Sequence, residues 1–137
     1  MADPRNTVAF DGIGYEAQTF LIDDSTITYS ATAANGSASV GLAVTLSTHS
    51  TVALAADGEF ILGKLISVDS DDKAVVQTGG FMTLPGGTSA TLTPGLKIVG
   101  DLLVSAKGYI RVVATEDTVS RGFIVDSSTT TAVVVKL

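Results

Sequence analysis

Three consecutive runs, EFILGKLISV (59–68), DSDDK (69–73) and AVVQTGGFMTL (74–84), decide how this chain folds. In the first run Ile61, Gly63 and Leu65 fall on one face of an extended strand, and Leu62, Lys64, Ile66 and Val68 on the other. Apolar residues on both faces mark a central strand. Asp and Ser favour turns because their short side chains bond to their own backbone, so Asp69 to Asp72 reads as a hairpin turn into the third run. Just upstream, TVALAA (51–56) is followed by Asp57-Gly58, a second turn signal. The expectation is a meander of three strands, the connection pattern of small antiparallel barrels.

The same punctuation extends in both directions. Asn35-Gly36 is a turn that precedes SVGLAVTLS (39–47), where Val40, Leu42, Val44 and Leu46 alternate with small residues. Asn35-Gly36-Ser37 also matches a glycosylation sequon, but with no secretory signal the turn reading is preferred. Downstream, YIRVVAT (109–115) is a strand, and the chain ends on one in which Thr131, Val133, Val135 and Leu137 share a face. Ahead of YIRVVAT, residues 88–109 predict a strand, a bend and one helical turn near Leu102 to Ala106. Composition agrees, with 31 Thr plus Ser, 24 Val plus Ile and only three Glu. β-Branched side chains fit a pleated surface, whereas helix surfaces favour Glu, Lys and Leu. The fold class expected is all-β, a small antiparallel barrel or sandwich-like domain with little or no helix.

Residues 1–30 read as an extended N-terminal arm, and residues 31–137 as a single β-barrel-like domain. Pro4 and Gly12-Ile13-Gly14 break any helix, and apolar residues are sparse. Yet Phe10, Tyr15, Phe20 and Tyr29, half of the chain's aromatics, lie there. Aromatic residues concentrate binding energy at interfaces, and they also dominate ordinary cores, so both readings stand. The candidate contact residues of the arm are Arg5, Val8, Phe10, Ile13, Tyr15 and Phe20.

Chemistry is marked mainly by what the chain lacks. A length of 137 residues predicts one domain, or one domain plus an arm, long enough to bury roughly 68% of the unfolded surface without staples. With no Cys, disulfides, thiolate catalysis and Cys-ligated metals are excluded. His49, the only histidine, sits among small polar residues and reads as a turn residue rather than a catalyst or ligand. Asp69-Ser70-Asp71-Asp72 lacks the later glycine and bidentate Glu of a calcium loop. The glycine pairs at 79–80 and 86–87 are not followed by Lys-Ser/Thr, so they read as turns or bulges rather than phosphate cradles. A formal net charge of −6 argues against tracking a phosphate backbone. No run approaches the roughly 18–20 apolar residues of a membrane helix. The start, MADPRNTVAFDG, has no basic region followed by an apolar stretch, so synthesis in a cytoplasm is expected. No enzyme, cofactor or metal site is read from these residues.

A resemblance carries the functional reading further. DGEFILGKLISVDSDDKAVVQTGGFMTLP (57–85), PGLKIVGDLL (94–103), AKGYIRVV (106–113) and SRGFIVDSSTTTAVVVKL (120–137) resemble, in the same order, the tailed-bacteriophage capsid decoration (cement, or head-stabilising) proteins. The likeness covers about the last 80 residues and leaves the first 45 outside it. It implies a non-enzymatic virion protein, made in the host cytoplasm, that sits on the outer surface of the assembled head as a homotrimer. There it would bind the phage major capsid protein and hold neighbouring subunits against internal DNA pressure, without touching nucleic acid or membrane. The alternative class is another structural or adhesive virion module, such as a fibre, tail or carbohydrate-binding domain. An enzyme on a trimeric nucleotidohydrolase-like scaffold would need phosphate- and metal-binding motifs that the sequence does not offer.

Overall fold

The computed structural model describes residues 13–88, 91–115, 117 and 119–137. It is nearly all β, with 47% strand and no helix of seven residues or more. Five strands, β1 (Glu16–Ile22), β2 (Ala43–Thr48), β3 (Thr51–Leu54), β4 (Gly63–Val68) and β5 (Lys73–Gly79), close into a barrel in the order β1-β3-β2-β4-β5. All pairings in it are antiparallel except β1 with β3. The Asp69–Asp72 segment is the hairpin turn joining β4 to β5, closed by Asp69 N–H to the Lys73 carbonyl at 2.8 Å. β3 and β4 are not neighbours, however, because β2 lies between them, so the expected three-strand meander is reduced to its second hairpin.

The boundary expected at residue 30 moves towards the N-terminus. β1 pairs with β5 from Glu16↔Gly79 to Leu21↔Lys73 and closes the barrel. Its apolar content is thin because only Phe20 and Ile22 reach the interior; the backbone ladder does the rest. Ile27, fully buried, also belongs to the barrel core.

The run AVVQTGGFMTL is broken at its glycines. β5 ends at Gly79, and β6 (Phe81–Leu84) enters another sheet. Gly80 makes the bend at φ 91°, with the Gly14 and Ile13 carbonyls so near that no side chain fits. β6 joins β10 (Val133–Lys136) and β9 (Phe123–Asp126) in the order β6-β10-β9, while β7 (Ile98–Leu103) and β8 (Ala106–Val112) form a hairpin. The helical turn expected near Leu102 is instead the tight connection of this hairpin, with Leu103 paired to Ala106.

Two aliphatic cores result. Ile22, Ile27, Val44, Val52, Leu65, Val68, Ala74 and Val76 fill the barrel. Ile61, Met82, Leu84, Ile98, Ile110, Ile124, Val133 and Val135 fill the second half, with Ala43 and Ala55 from the barrel wall. β2 therefore buries both faces, Ala43 towards one core and Val44 towards the other, while Leu46 beyond them is exposed. Val68, expected on the face opposite Leu65, joins it in the barrel core. A bulge between Leu65 and Ser67 adds a residue and reverses the alternation.

Candidate functional site

The N-terminal candidates separate by burial. Arg5, Val8 and Phe10 lie outside the described residues. Ile13 and Tyr15 are 53% and 52% exposed, immediately before β1. Ile13 is nevertheless tethered, since its carbonyl accepts the Phe81 N–H at 3.0 Å. Phe20 instead packs against the barrel core, so for this ring the core reading holds. Tyr29 is partly exposed and lines an open polar groove of about 570 Å³ with Asn35, Gly36, Asp69 and Asp71.

Behind β1, Asp23 organises the turn that returns the chain to the barrel. Its carboxylate accepts from the Ser25 hydroxyl at 2.7 Å, from Thr26 N–H and hydroxyl, and from Ile27 N–H at 3.3 Å. The Thr26 hydroxyl in turn accepts the Leu54 N–H at 2.9 Å. Burial pushes the Asp23 carboxyl upward, but these donors outweigh it and hold the group below its ordinary value.

Two arginines, given no role by the sequence reading, fasten the second half. Arg111 on β8 donates from Nε to Asp57 Oδ1 at 2.8 Å and from Nη1 to Asp117 Oδ2 at 2.8 Å. Asp117 also accepts the Ala114 N–H at 2.7 Å. The hydrogen bond to Asp117, opposed by burial and reinforced by Asp57, raises the guanidinium further above its ordinary value. The same bond, with that from Ala114, lowers Asp117. Arg121 donates to the Leu62 carbonyl at 2.5 Å and to the Thr78 carbonyl, tying the last third of the chain to β5 and the β4 approach. Burial pulls its guanidinium down, and nearby Glu16 partly offsets this. The signal for Arg111 was faint, since a basic residue in an apolar strand announces an acidic partner but not that it lies 54 positions away at Asp57.

His49 occupies the exposed turn between β2 and β3. Among the described residues no group of three His, Cys, Asp or Glu is placed to hold a metal ion. No helix among them is long and apolar enough to cross a membrane. Among the described residues, Ile13, Tyr15, Val104 and Val119 are at least half exposed. Comparison with protein-family models, with curated proteins and with solved structures finds no match.

Proposed function

We propose that this chain is a non-enzymatic capsid decoration protein, which binds the outside of an assembled tailed-phage head and cements neighbouring major capsid subunits. The observation that carries the reading is the ordered likeness of residues 57–137 to that family. Its pieces fall on structural elements: GKLISV is β4, the glycine pair is the break between β5 and β6, and GYIR lies in β8. The SRGFIVD piece leads into β9, and AVVVKL contains β10.

A rigid barrel with exposed Ile13 and Tyr15 at its leading end suits a body that delivers an apolar contact. A net charge of −6 suits a shell exterior better than an interior filled with polyanionic DNA. As a homotrimer the protein would gain from effective concentration, since three weak contacts then act together. Binding only the closed shell, it stabilises that state by mass action.

The contact segment is redefined by β1: removing residues 2–22 would delete a barrel strand, whereas removing 2–12 takes away Arg5, Val8 and Phe10 and spares it. Emptied tailed-phage heads stripped of decoration protein provide the test. The full chain should sediment with them at a fixed ratio to the major subunit and raise their thermal stability, and the 2–12 deletion should remain folded and stay in the supernatant. Failure of the full chain to sediment overturns the function; undiminished binding by the deletion removes Arg5, Val8 and Phe10 from the contact and leaves Ile13 and Tyr15 to carry it. The groove beside Tyr29, an aromatic ring among amide and carboxylate groups, favours the adhesive alternative, which a glycan array would reveal.

A further inference from the structure

β6 is the outer strand of the order β6-β10-β9, so one of its sides faces no described strand. Gly80 and Leu137 exchange both backbone hydrogen bonds, at 3.4 and 3.1 Å. Along β6 the backbone groups of Gly80, Met82 and Leu84 therefore point to β10, and those of Phe81 and Thr83 point away from it. On that outer side the Phe81 N–H donates to the Ile13 carbonyl at 3.0 Å. The Thr83 N–H and carbonyl, next on the same side, have no backbone partner among the described residues. Pro85 follows; it has no N–H to offer, and its carbonyl accepts from Ile110. The open stretch is thus one residue long, bounded by a bond already made and by a proline.

The chain reaches Ile13 along this same side. Glu16 pairs antiparallel with Gly79, and the Ile13 and Gly14 carbonyls crowd Gly80, so residues 13–16 run against residues 79–81. In an antiparallel ladder an N–H and the carbonyl it reaches belong to residues directly opposite each other. The Phe81–Ile13 bond therefore fixes a register, and the direction in which the preceding residues must continue it. Beside Thr83 stands an ammonium group: Lys64 Nζ donates to the Thr83 hydroxyl at 3.0 Å, and Lys64 takes part in none of the ion pairs among the described residues. On the other face of β6, Met82 and Leu84 are buried in the second core.

We infer that the open side of β6 is the docking edge for this chain's own residues Phe10–Gly12, which lie outside the described residues and add to it as an antiparallel strand. The register sets Gly12 opposite Met82, Asp11 opposite Thr83 and Phe10 opposite Leu84. Asp11 supplies the N–H and carbonyl that Thr83 lacks, and its carboxylate, on the Thr83 face, meets the Lys64 ammonium. Phe10, one residue away, falls on the face of the buried Met82 and Leu84, so the alternation of apolar and charged residues fits both sides of the sheet. The occupant is the same chain rather than another, because a single residue separates Asp11 from the tethered Ile13. The added strand covers an edge that would otherwise be open to pairing with a second copy. It also narrows the free part of the N-terminal segment to residues 1–9, Arg5 and Val8 among them. The inference does not depend on the cement reading.

The test is residue-resolved amide hydrogen exchange by NMR on the full chain, with Asp11→Pro and Thr7→Pro as variants. Proline at 11 cannot donate to the Thr83 carbonyl, whereas position 7 lies beyond the ladder. The Thr83 amide should exchange at least about tenfold faster in Asp11→Pro than in the unaltered chain or in Thr7→Pro. The Met82 amide, bonded to β10, should stay protected in all three and so report an intact β6. A cross-strand contact between the α-protons of Gly12 and Met82 should be present in the unaltered chain and absent in Asp11→Pro. Asp11→Lys, which sets a second ammonium beside Lys64, should speed Thr83 exchange by about twofold to fivefold, and adding Lys64→Glu should restore it. A Thr83 amide that exchanges freely in the unaltered chain, or as slowly in Asp11→Pro, overturns the docking. Protection that fades on dilution assigns the strand to another copy and overturns it too. No phage head enters these measurements, so the docking can fail while the cement reading stands, and the reverse.

Discussion

The barrel and the second half are both built from strands rich in Val and Ile, yet they satisfy their strand edges by different means. In the barrel every strand finds another strand on both sides, and the ladder closes on itself. In the second half two open sheets meet loops: Gly100 N–H donates to the Glu59 carbonyl at 2.7 Å, Ile110 N–H to Pro85 at 3.0 Å, and Ile124 N–H to Leu96 at 3.0 Å. Arg111 and Arg121 add side-chain ties there. Closure removes edges by geometry, whereas an open sheet must have each edge group covered individually. Gly100 shows how tight that covering is, since the Ala56 carbonyl occupies the space its side chain would need. The two halves still share a wall, because Ala43, Ala55 and Ile61 come from the barrel half and pack in the second core.

The shared wall predicts one cooperative unit, and breaking each core tests this most severely. Leu65→Ala in the barrel and Ile110→Ala in the second core each delete a fully buried aliphatic side chain. Each should cost about 2–5 kcal/mol. In urea followed by circular dichroism and by hydrogen exchange, both variants should shift a single transition of unchanged slope. A second half that melts first in Ile110→Ala, leaving β1 to β5 protected, would separate the molecule into two units.

Arg121 tests the second means of closure. Replacing it with methionine keeps an apolar stem but leaves the Leu62 and Thr78 carbonyls without their guanidinium donor. An orphaned buried acceptor costs about 1–3 kcal/mol, so Arg121→Met should fall short of the core variants yet remain clear in a urea titration. A loss under about 0.5 kcal/mol would mean that water replaces the guanidinium at both carbonyls.

What the sequence disclosed, and what it concealed, follows the same division. The hairpin from β4 to β5 and the C-terminal strand were legible because alternation and turn chemistry are local: Val133 and Val135 are buried as their spacing requires. The glycine pair at 79–80 was seen as a turn or bulge, but not as the passage between sheets, because that depends on carbonyls from Ile13 and Gly14. β1 was concealed because its contribution is a backbone ladder to β5, which leaves little mark on residue type. Of the contact candidates, Ile13 and Tyr15 are exposed, while Phe20 is taken up by the core, a choice that aromatic identity alone cannot make. The left-handed backbone of Val104, in the turn between β7 and β8, was hidden in a run of apolar letters, since φ is not written in the sequence.

Acid should expose both halves through carboxylates held by hydrogen bonds. In the barrel, Asp23 is pushed up by burial but brought below its ordinary value by its donors. In the second half, Asp117 is lowered by Arg111 and Ala114, and Asp126 by Ser128. A carboxyl depressed in the folded state binds its proton more readily when unfolded. Its stabilisation is therefore complete above the ordinary carboxylate value near pH 4 and is lost as pH falls through the lower folded value. Thermal midpoints measured from pH 6 down to pH 2 should decline below about pH 4. Asp23→Asn and Asp117→Asn should each lower the midpoint at pH 6 and flatten that decline. An unchanged acid limb in Asp117→Asn would place the sensitivity at Asp23 or Asp126 instead.

The smallest effect is expected at the side-chain link between the halves, where Lys64 Nζ on β4 donates to the Thr83 hydroxyl on β6 at 3.0 Å. Both residues are half-buried, so water can solvate the ammonium when the hydroxyl is removed. Thr83→Val preserves shape and β-branching, and should cost under about 1 kcal/mol. Lys64→Met removes the charge and the need to solvate it, and should be close to neutral. If either exceeded the loss in Arg121→Met, the halves would be joined chiefly through the β4–β6 link rather than through the arginine. The double variant distinguishes these cases, since two residues that act only on each other lose no more together than the costlier one alone.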